Sequence, residues 1–199
     1  ATIQTAVETT IDTFNTDNLD DFFKTFRKSK LIEKINETKT SILSCDVTVR
    51  MMKLISPIAN VAFDETLIYN QPFKRDNPVE PVDQGEFVSF STPSVESEPF
   101  VFQNITGASI RDNGAGALQV VTANLSSIEV LSSNVGTVDY ELGQIVVSNL
   151  VINSYSSGAS AGTLKIFARP RDQDIEGKRN DVIRIRTNET NVTVIELRE

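Results

Sequence analysis

In the opening stretch TIQTAVETTIDTF, Ile3, Val7, Ile11 and Phe14 recur at spacings of four, four and three, the repeat of one helix face. The next stretch, TDNLDDFFKTFRKSKLIEKINET, predicts a second helix with Asp17 or Asn18 as its N-cap, because short polar side chains accept the first unpaired amide protons of a helix. Leu19, Phe22, Phe23 and Phe26 fall on one side of that helix, and Leu31, Ile32 and Ile35 on another. So heavy an apolar stripe packs against the domain's own sheet or docks on a partner subunit.

From residue 42 the period shortens to two. In SCDVTVRM, Cys45, Val47, Val49 and Met51 alternate with Asp46, Thr48 and Arg50, as in a half-buried strand. FDETLIYNQPF is a second strand candidate. After KRDNPVEPVDQGEF, which is rich in Pro, Asp, Asn and Gly, every further run reads as β: FVSFS, FVFQNI, ASIRD, ALQVVTA, SIEVLS, GTVDY, QIVVSNLVI, TLKIFARP, DVIRIRT and NVTVIELR. These runs are short, rich in Val and Ile, and separated by turn residues. In NVGTVDYELGQIVVSNLVIN, the sharpest of the patterns, YELGQ is the turn and Gly143 the residue suited to positive φ. Val138 and Tyr140 then share one face of the first strand, and Ile145 and Val147 one face of the second. This order predicts an α+β fold, with N-terminal helices followed by a mainly antiparallel β region of meander or sandwich type. The divisions expected are a helical lead with the first strands over 1–73, a linker loop over 74–87 and an antiparallel β domain over 88–199.

Composition narrows the chemistry. The 199 residues carry 27 acids and 19 bases, a net charge of -8, against general nucleic-acid binding, which needs clustered cations. FRKSK, the densest basic run, reads as a solvated helix face. No apolar run approaches a membrane span, and the start has neither a basic nor a hydrophobic signal region. The chain opens on Ala1 and enters at once a polar helical pattern, so it is expected to be part of something longer. Histidine is absent and Cys45 is the sole cysteine. This removes His-based nucleophile pairs, His-containing zinc sites and internal disulfides. In its alternating context Cys45 is expected to be a buried core thiol.

The remaining motifs are structural on inspection. RDNGAGALQV has Gly114 and Gly116 but lacks the third glycine of a dinucleotide loop and the Gly-Lys-Ser/Thr of a P-loop, so it is a turn entering a strand. DQDIEGKRNDVI places Asp172, Asp174, Glu176 and Gly177 like the opening of a calcium loop, but the twelfth position is Ile183, and Lys178 and Arg179 would repel the ion. It is a charged surface loop, and no metal or cofactor is expected. No two of the acids have a reason in sequence to converge as a glycosidase pair. The Asn-x-Ser/Thr sequons at Asn36, Asn104, Asn124, Asn188 and Asn191 are what a Ser-, Thr- and Asn-rich β protein contains by chance.

With catalytic readings thinned out, the order of pieces becomes the clue. The run DDFFKTFRKSKLIEKINETKTSILSCDVTVRMMK resembles the C-terminal region of the T4-type phage baseplate wedge subunit six family, J-like baseplate proteins. Phe22, Phe23, Phe26, Ser29, Lys30, Leu31, Ser41, Ile42 and Arg50 stand at the places of that family's pattern. RDNGAGAL, VGTVDYELGQIVV and ARPRDQDIEGKRNDVIRI look like its glycine turn, its Val-Gly-x-Val-Asp-Tyr hairpin and its closing strand. The resemblance implies a non-enzymatic virion scaffold, assembled in the host cytoplasm. Such a subunit pairs with itself and with other baseplate wedge and hub proteins to close a ring, without nucleic acid or membrane. The interface expected is Phe22, Phe23 and Phe26 on the second helix, with Val138, Tyr140, Ile145 and Val147 of the hairpin. A carbohydrate- or receptor-binding β module of a phage tail is the alternative. With no Trp, its sugar platforms would be Tyr69, Tyr140 and Tyr155.

Overall fold

The computed structural model describes residues 2–75, 92–124, 127–156, 162–177 and 182–195. Its elements run in the order α1 (Ile3–Asn18), β1 (Thr25–Phe26), α2 (Lys28–Thr38), β2 (Met51–Ile55), β3 (Phe63–Ile68), β4 (Val95–Ser97), β5 (Phe100–Phe102), β6 (Ile105–Asp112), β7 (Leu118–Asn124), β8 (Ser127–Ser132), β9 (Gly136–Asp139), β10 (Gln144–Leu150), β11 (Ser154–Tyr155), β12 (Leu164–Ala168) and β13 (Ile175–Glu176), with a 3-10 turn at Thr187–Glu189. The helices come first and every ladder is antiparallel, so the fold is α+β as expected. Most of the expected linker, together with FVSFS, lies outside the described residues.

The chain forms two compact units. One is Ala1–Val49 with Gln173–Glu199, the other Arg50–Asp172. In the first unit, Thr2 caps α1 by accepting the Thr5 N–H at 3.2 Å. Val7, Ile11 and Phe14 of α1 pack with Leu19, Phe26, Leu31 and Ile35 into one buried cluster. Phe14 and Phe26 meet edge to face at 6.3 Å, a favoured aromatic geometry. β1 and β13 pair as a short ribbon, Thr25 opposite Glu176 and Phe26 opposite Ile175.

The expected second helix starts late. α1 continues through Asn18, with Leu19 as its C-cap donating to the Asn15 carbonyl, so Asp17 and Asn18 lie in the last turn of a helix, where Asn18 Nδ2 donates to the Phe14 carbonyl at 3.1 Å, and neither is an N-cap. α2 begins at Lys28. Its Lys28 N–H is capped by Asp174 Oδ1 at 3.0 Å, from the acidic run that imitates a calcium loop. That carboxylate serves a helix N-terminus.

SCDVTVRM is likewise half correct. Ser44 to Arg50 alternate exposed and half-buried residues, and Cys45, Val47 and Val49 pack on the helical cluster. No ladder forms until Met51. Cys45 is half-buried, and burial first, then the nearby Asp46 charge, pushes its thiol above the ordinary range. DVIRIRT and NVTVIELR also form no ladder over their described residues.

The second unit is laddered throughout. One sheet runs β3-β10-β9; the other runs β11-β5-β6-β4-β12-β2, with β7 on β6 and β8 on β7. Their inward faces supply Val95, Phe100, Ile110, Leu118, Val120, Leu150, Leu164 and Ile166, all essentially inaccessible. Period two in sequence becomes period two in burial along β9, β12 and β10 as far as Val147, after which the register of β10 shifts.

Candidate interaction surface

The phenylalanines expected on one helix face are split between two environments. Phe26 is buried in β1 beneath α1. Phe22 and Phe23 stand on the turn between α1 and β1, 53% and 70% exposed. The turn is held from below: Leu19 is wholly buried, the Asp21 N–H donates to the Leu19 carbonyl at 2.7 Å, and the Phe22 N–H donates to Asp21 Oδ1 at 2.7 Å. Phe23 takes φ +60°, a left-handed conformation that an aromatic residue adopts at a cost. Two large apolar rings are therefore displayed on a fixed turn with Asp17, Asp20 and Asp21 exposed around them. Asp20 is paired with Arg184 at 2.7 Å.

The hairpin residues go the other way. β9 and β10 pair as expected, Ile145 opposite Val138 and Val147 opposite Gly136, and Gly143 has φ +64°. Val138, Tyr140, Ile145 and Val147 are all buried in their own unit, which removes them from a surface open to a partner. β3 pairs with the other edge of β10, Leu67 opposite Ile145 and Glu65 opposite Val147. The Tyr140 hydroxyl donates to Asp112 Oδ2 at 2.7 Å. Asp112 also accepts the Val95 N–H at 2.8 Å and the Gly114 N–H at 3.2 Å, so one buried carboxylate at the end of β6 joins the start of β4, the residue after β9 and the RDNGAG turn. Burial first, then the Asp112 charge, pushes the Tyr140 phenol up. Arg75 covers the ring at 5.5 Å.

Gly114 and Gly116 have φ +74° and +98° and sit in the turn from β6 to β7, as the sequence predicts. The Gly116 carbonyl accepts the Val138 N–H at 2.8 Å, so the turn fastens β9 and makes no phosphate cradle. The tyrosines that a sugar-binding module would need are largely spent on the core. Tyr69 and Tyr140 are buried, and Tyr155 is half-buried with its hydroxyl donating to the Pro57 carbonyl.

Sequence reasoning missed Asn15. Its amide nitrogen donates to the Ile185 carbonyl and its amide oxygen accepts the Ile185 N–H, both at 3.0 Å. A helix side chain thus offers an extended segment both bonds a neighbouring strand would give. Beside it, Asp12, Asn15, Thr16 and Asp20 of the α1 end face Arg184 to Asn188 across a cleft of about 480 Å³. The cleft is polar and carries both charge signs. Among the described residues, no group of three His, Cys, Asp or Glu could hold a metal, and no helix is long and apolar enough to cross a membrane.

Residues 1–54 match the family model described as baseplate structural protein gp6, C-terminal domain III. The match takes in the phenylalanine turn, α2 and the alternating segment up to β2. The glycine turn, the β9–β10 hairpin and the Arg-rich closing run lie outside it. No curated protein matches the chain.

Proposed function

We propose that the chain is a structural, non-enzymatic component of a contractile phage tail baseplate wedge. It binds its own copies and neighbouring wedge and hub proteins, and those contacts help close the baseplate ring during assembly in the host cytoplasm late in infection. The observation that carries this reading is the match over residues 1–54. The physical support is that the same run holds the exposed aromatic pair found among the described residues. Phe22 and Phe23 offer apolar area whose ordering is already met by the turn beneath them, and pre-organised aromatic anchors are what dominate binding at interfaces. Of the seven interface residues expected from sequence, these two remain as partner contacts. Phe26 and the four hairpin residues act as the frame.

The test is reconstitution with the wedge proteins of the same phage. Phe22→Ser with Phe23→Asp is expected to reduce co-assembly at least about tenfold while leaving the thermal midpoint of the free chain within a degree or two, since neither ring is buried. Undiminished co-assembly of the double variant would remove the pair from the interface. Specific binding on a glycan array by the unmodified chain would move the reading to a carbohydrate-binding tail module.

A further inference from the structure

The segment from Ser44 to Arg50 has the exposure of a strand without the pairing of one. In extended chain, the amide groups of successive residues point to opposite edges. On one edge, the Val47 N–H donates to Asp46 Oδ1 at 2.8 Å and the Val49 N–H to Gln173 Oε1 at 3.4 Å. On the other edge, the N–H groups of Ser44, Asp46 and Thr48 have no hydrogen-bond partner among the described residues. The side chains of this row are exposed, Asp46 most of all at 87%. The inward row of Cys45, Val47 and Val49 is already seated on the helical cluster. The backbone is therefore held in place, with a row of amide donors that no described residue pairs.

We infer that this edge pairs antiparallel with the same edge of a second copy, centred on Thr48. The inference rests on the self-association in the reading above and assigns its surface. An open strand edge is matched by another extended backbone, and a two-fold axis makes one segment sufficient for both sides. Charge selects the register. Centring on Asp46 would set Asp46 against its own copy, which like charges opposite one another disfavour. Centring on Thr48 sets each Asp46 opposite the second copy's Arg50, giving two favourable cross-strand pairs. Asp46 already holds Lys28 at 3.1 Å and Arg50 holds Glu96, yet both keep accessible side chains that an additional neighbour can share.

Sedimentation of the full chain across a concentration series tests the pairing. Thr48→Pro removes the central donor at an exposed position that an edge strand tolerates, and is expected to weaken self-association at least about tenfold without moving the unfolding midpoint. Asp46→Arg and Arg50→Asp should each weaken it, and the two together should restore it. Hydrogen exchange supplies a readout independent of any variant: the Thr48 amide should be protected in concentrated protein and exchange freely when diluted. A dimer indifferent to Thr48→Pro and to the charge exchanges, with the Thr48 amide unprotected, would overturn the pairing while leaving self-association intact. A chain that stays monomeric at every concentration yet joins its wedge partners would overturn the pairing and leave the scaffold reading standing.

Discussion

The two units solve the same problem, how to satisfy extended backbone, by different means. In Arg50–Asp172 the strands satisfy one another, and glycines let backbones approach closely. In Ala1–Val49 with Gln173–Glu199, apart from the short β1–β13 ribbon, the ties are single side chains: Asn15 to Ile185, Gln173 to Val49 and Asp174 to the N-terminus of α2 at Lys28. A ladder spreads its bonds over many residues, so each one is dispensable; a side-chain clasp concentrates them. The laddered unit thus spends its backbone on its own strands, and the clasped unit keeps backbone and aromatic surface available. The family match covers the N-terminal part of the clasped unit and runs on into β2, and the clasped part is where exposed groups remain to meet other chains.

The strongest break of this comparison is steric. A Cβ on Gly143 would stand 1.9 Å from the Gln71 carbonyl oxygen, where the Gly143 carbonyl also accepts the Tyr69 N–H. Backbone cannot yield as a flexible side chain does, and φ +64° adds its own cost to any other residue. Gly143→Ala is expected to destabilise the chain by about 3 kcal/mol or more, read as a lowered denaturation midpoint. Gly107→Ala is the control, since its φ is +82° but nothing lies within 4 Å. It should cost about 1 kcal/mol. Equal effects at the two glycines would mean that conformation, and not the close approach in the hairpin, sets the cost.

In the clasped unit the corresponding break is chemical. Asn15→Asp keeps the size and the acceptor but loses the donor to the Ile185 carbonyl and sets a charge in a half-buried place. A cost of about 2 kcal/mol is expected, with faster hydrogen exchange confined to residues 182–195 and no change along β5 to β7. Exchange spreading into those strands would show that the laddered unit depends on the clasp.

This contrast also explains what the sequence discloses. The hairpin of residues 134–153 is legible because local turn chemistry and period-two burial agree in it, from Gly143 to the Val138 and Ile145 pair. The alternation of Cys45, Val47 and Val49 is legible for the same reason, but periodicity reports which face is buried and not whether a neighbour supplies a ladder. Phe22 and Phe23 are misplaced because a helical repeat over Leu19 to Phe26 looks continuous, whereas the chain is broken by a turn that Asp21 and a positive φ at Phe23 create. Asn15, Asp112 and Asp174 are illegible altogether. Their partners lie 170 residues away for Asn15, 28 and 17 for Asp112, and 146 for Asp174, and nothing in a local pattern of polar residues announces such a bond. For the candidate surface, composition was right about aromatic supply, while burial decided which rings are free to act.

The smallest expected effect comes from pH, and it separates the units by composition. Tyr69, Tyr140 and Tyr155 all belong to Arg50–Asp172. Burial raises the phenols of Tyr69 and Tyr140, and for Tyr140 the Asp112 carboxylate raises it further. A group whose folded pKa lies above its unfolded value contributes its full stability below the unfolded pKa, and that contribution is lost as pH rises beyond it. The unfolded chain releases these protons near pH 10 while the folded unit retains them. Each phenol therefore costs roughly 0.4 kcal/mol at pH 10, growing toward about 1.4 kcal/mol per further pH unit. In the clasped unit the raised Cys45 thiol acts with the same sign from about pH 9, but it is more exposed and its share is smaller. Denaturation followed by tyrosine absorbance between pH 8 and about 10.5 should show a falling midpoint. Tyr140→Phe should flatten that slope while lowering stability at neutral pH through the unpaired Asp112 oxygen. A slope unchanged by Tyr140→Phe would place the alkaline loss elsewhere, and the Asp112 junction would then be a packing feature without a titrating partner.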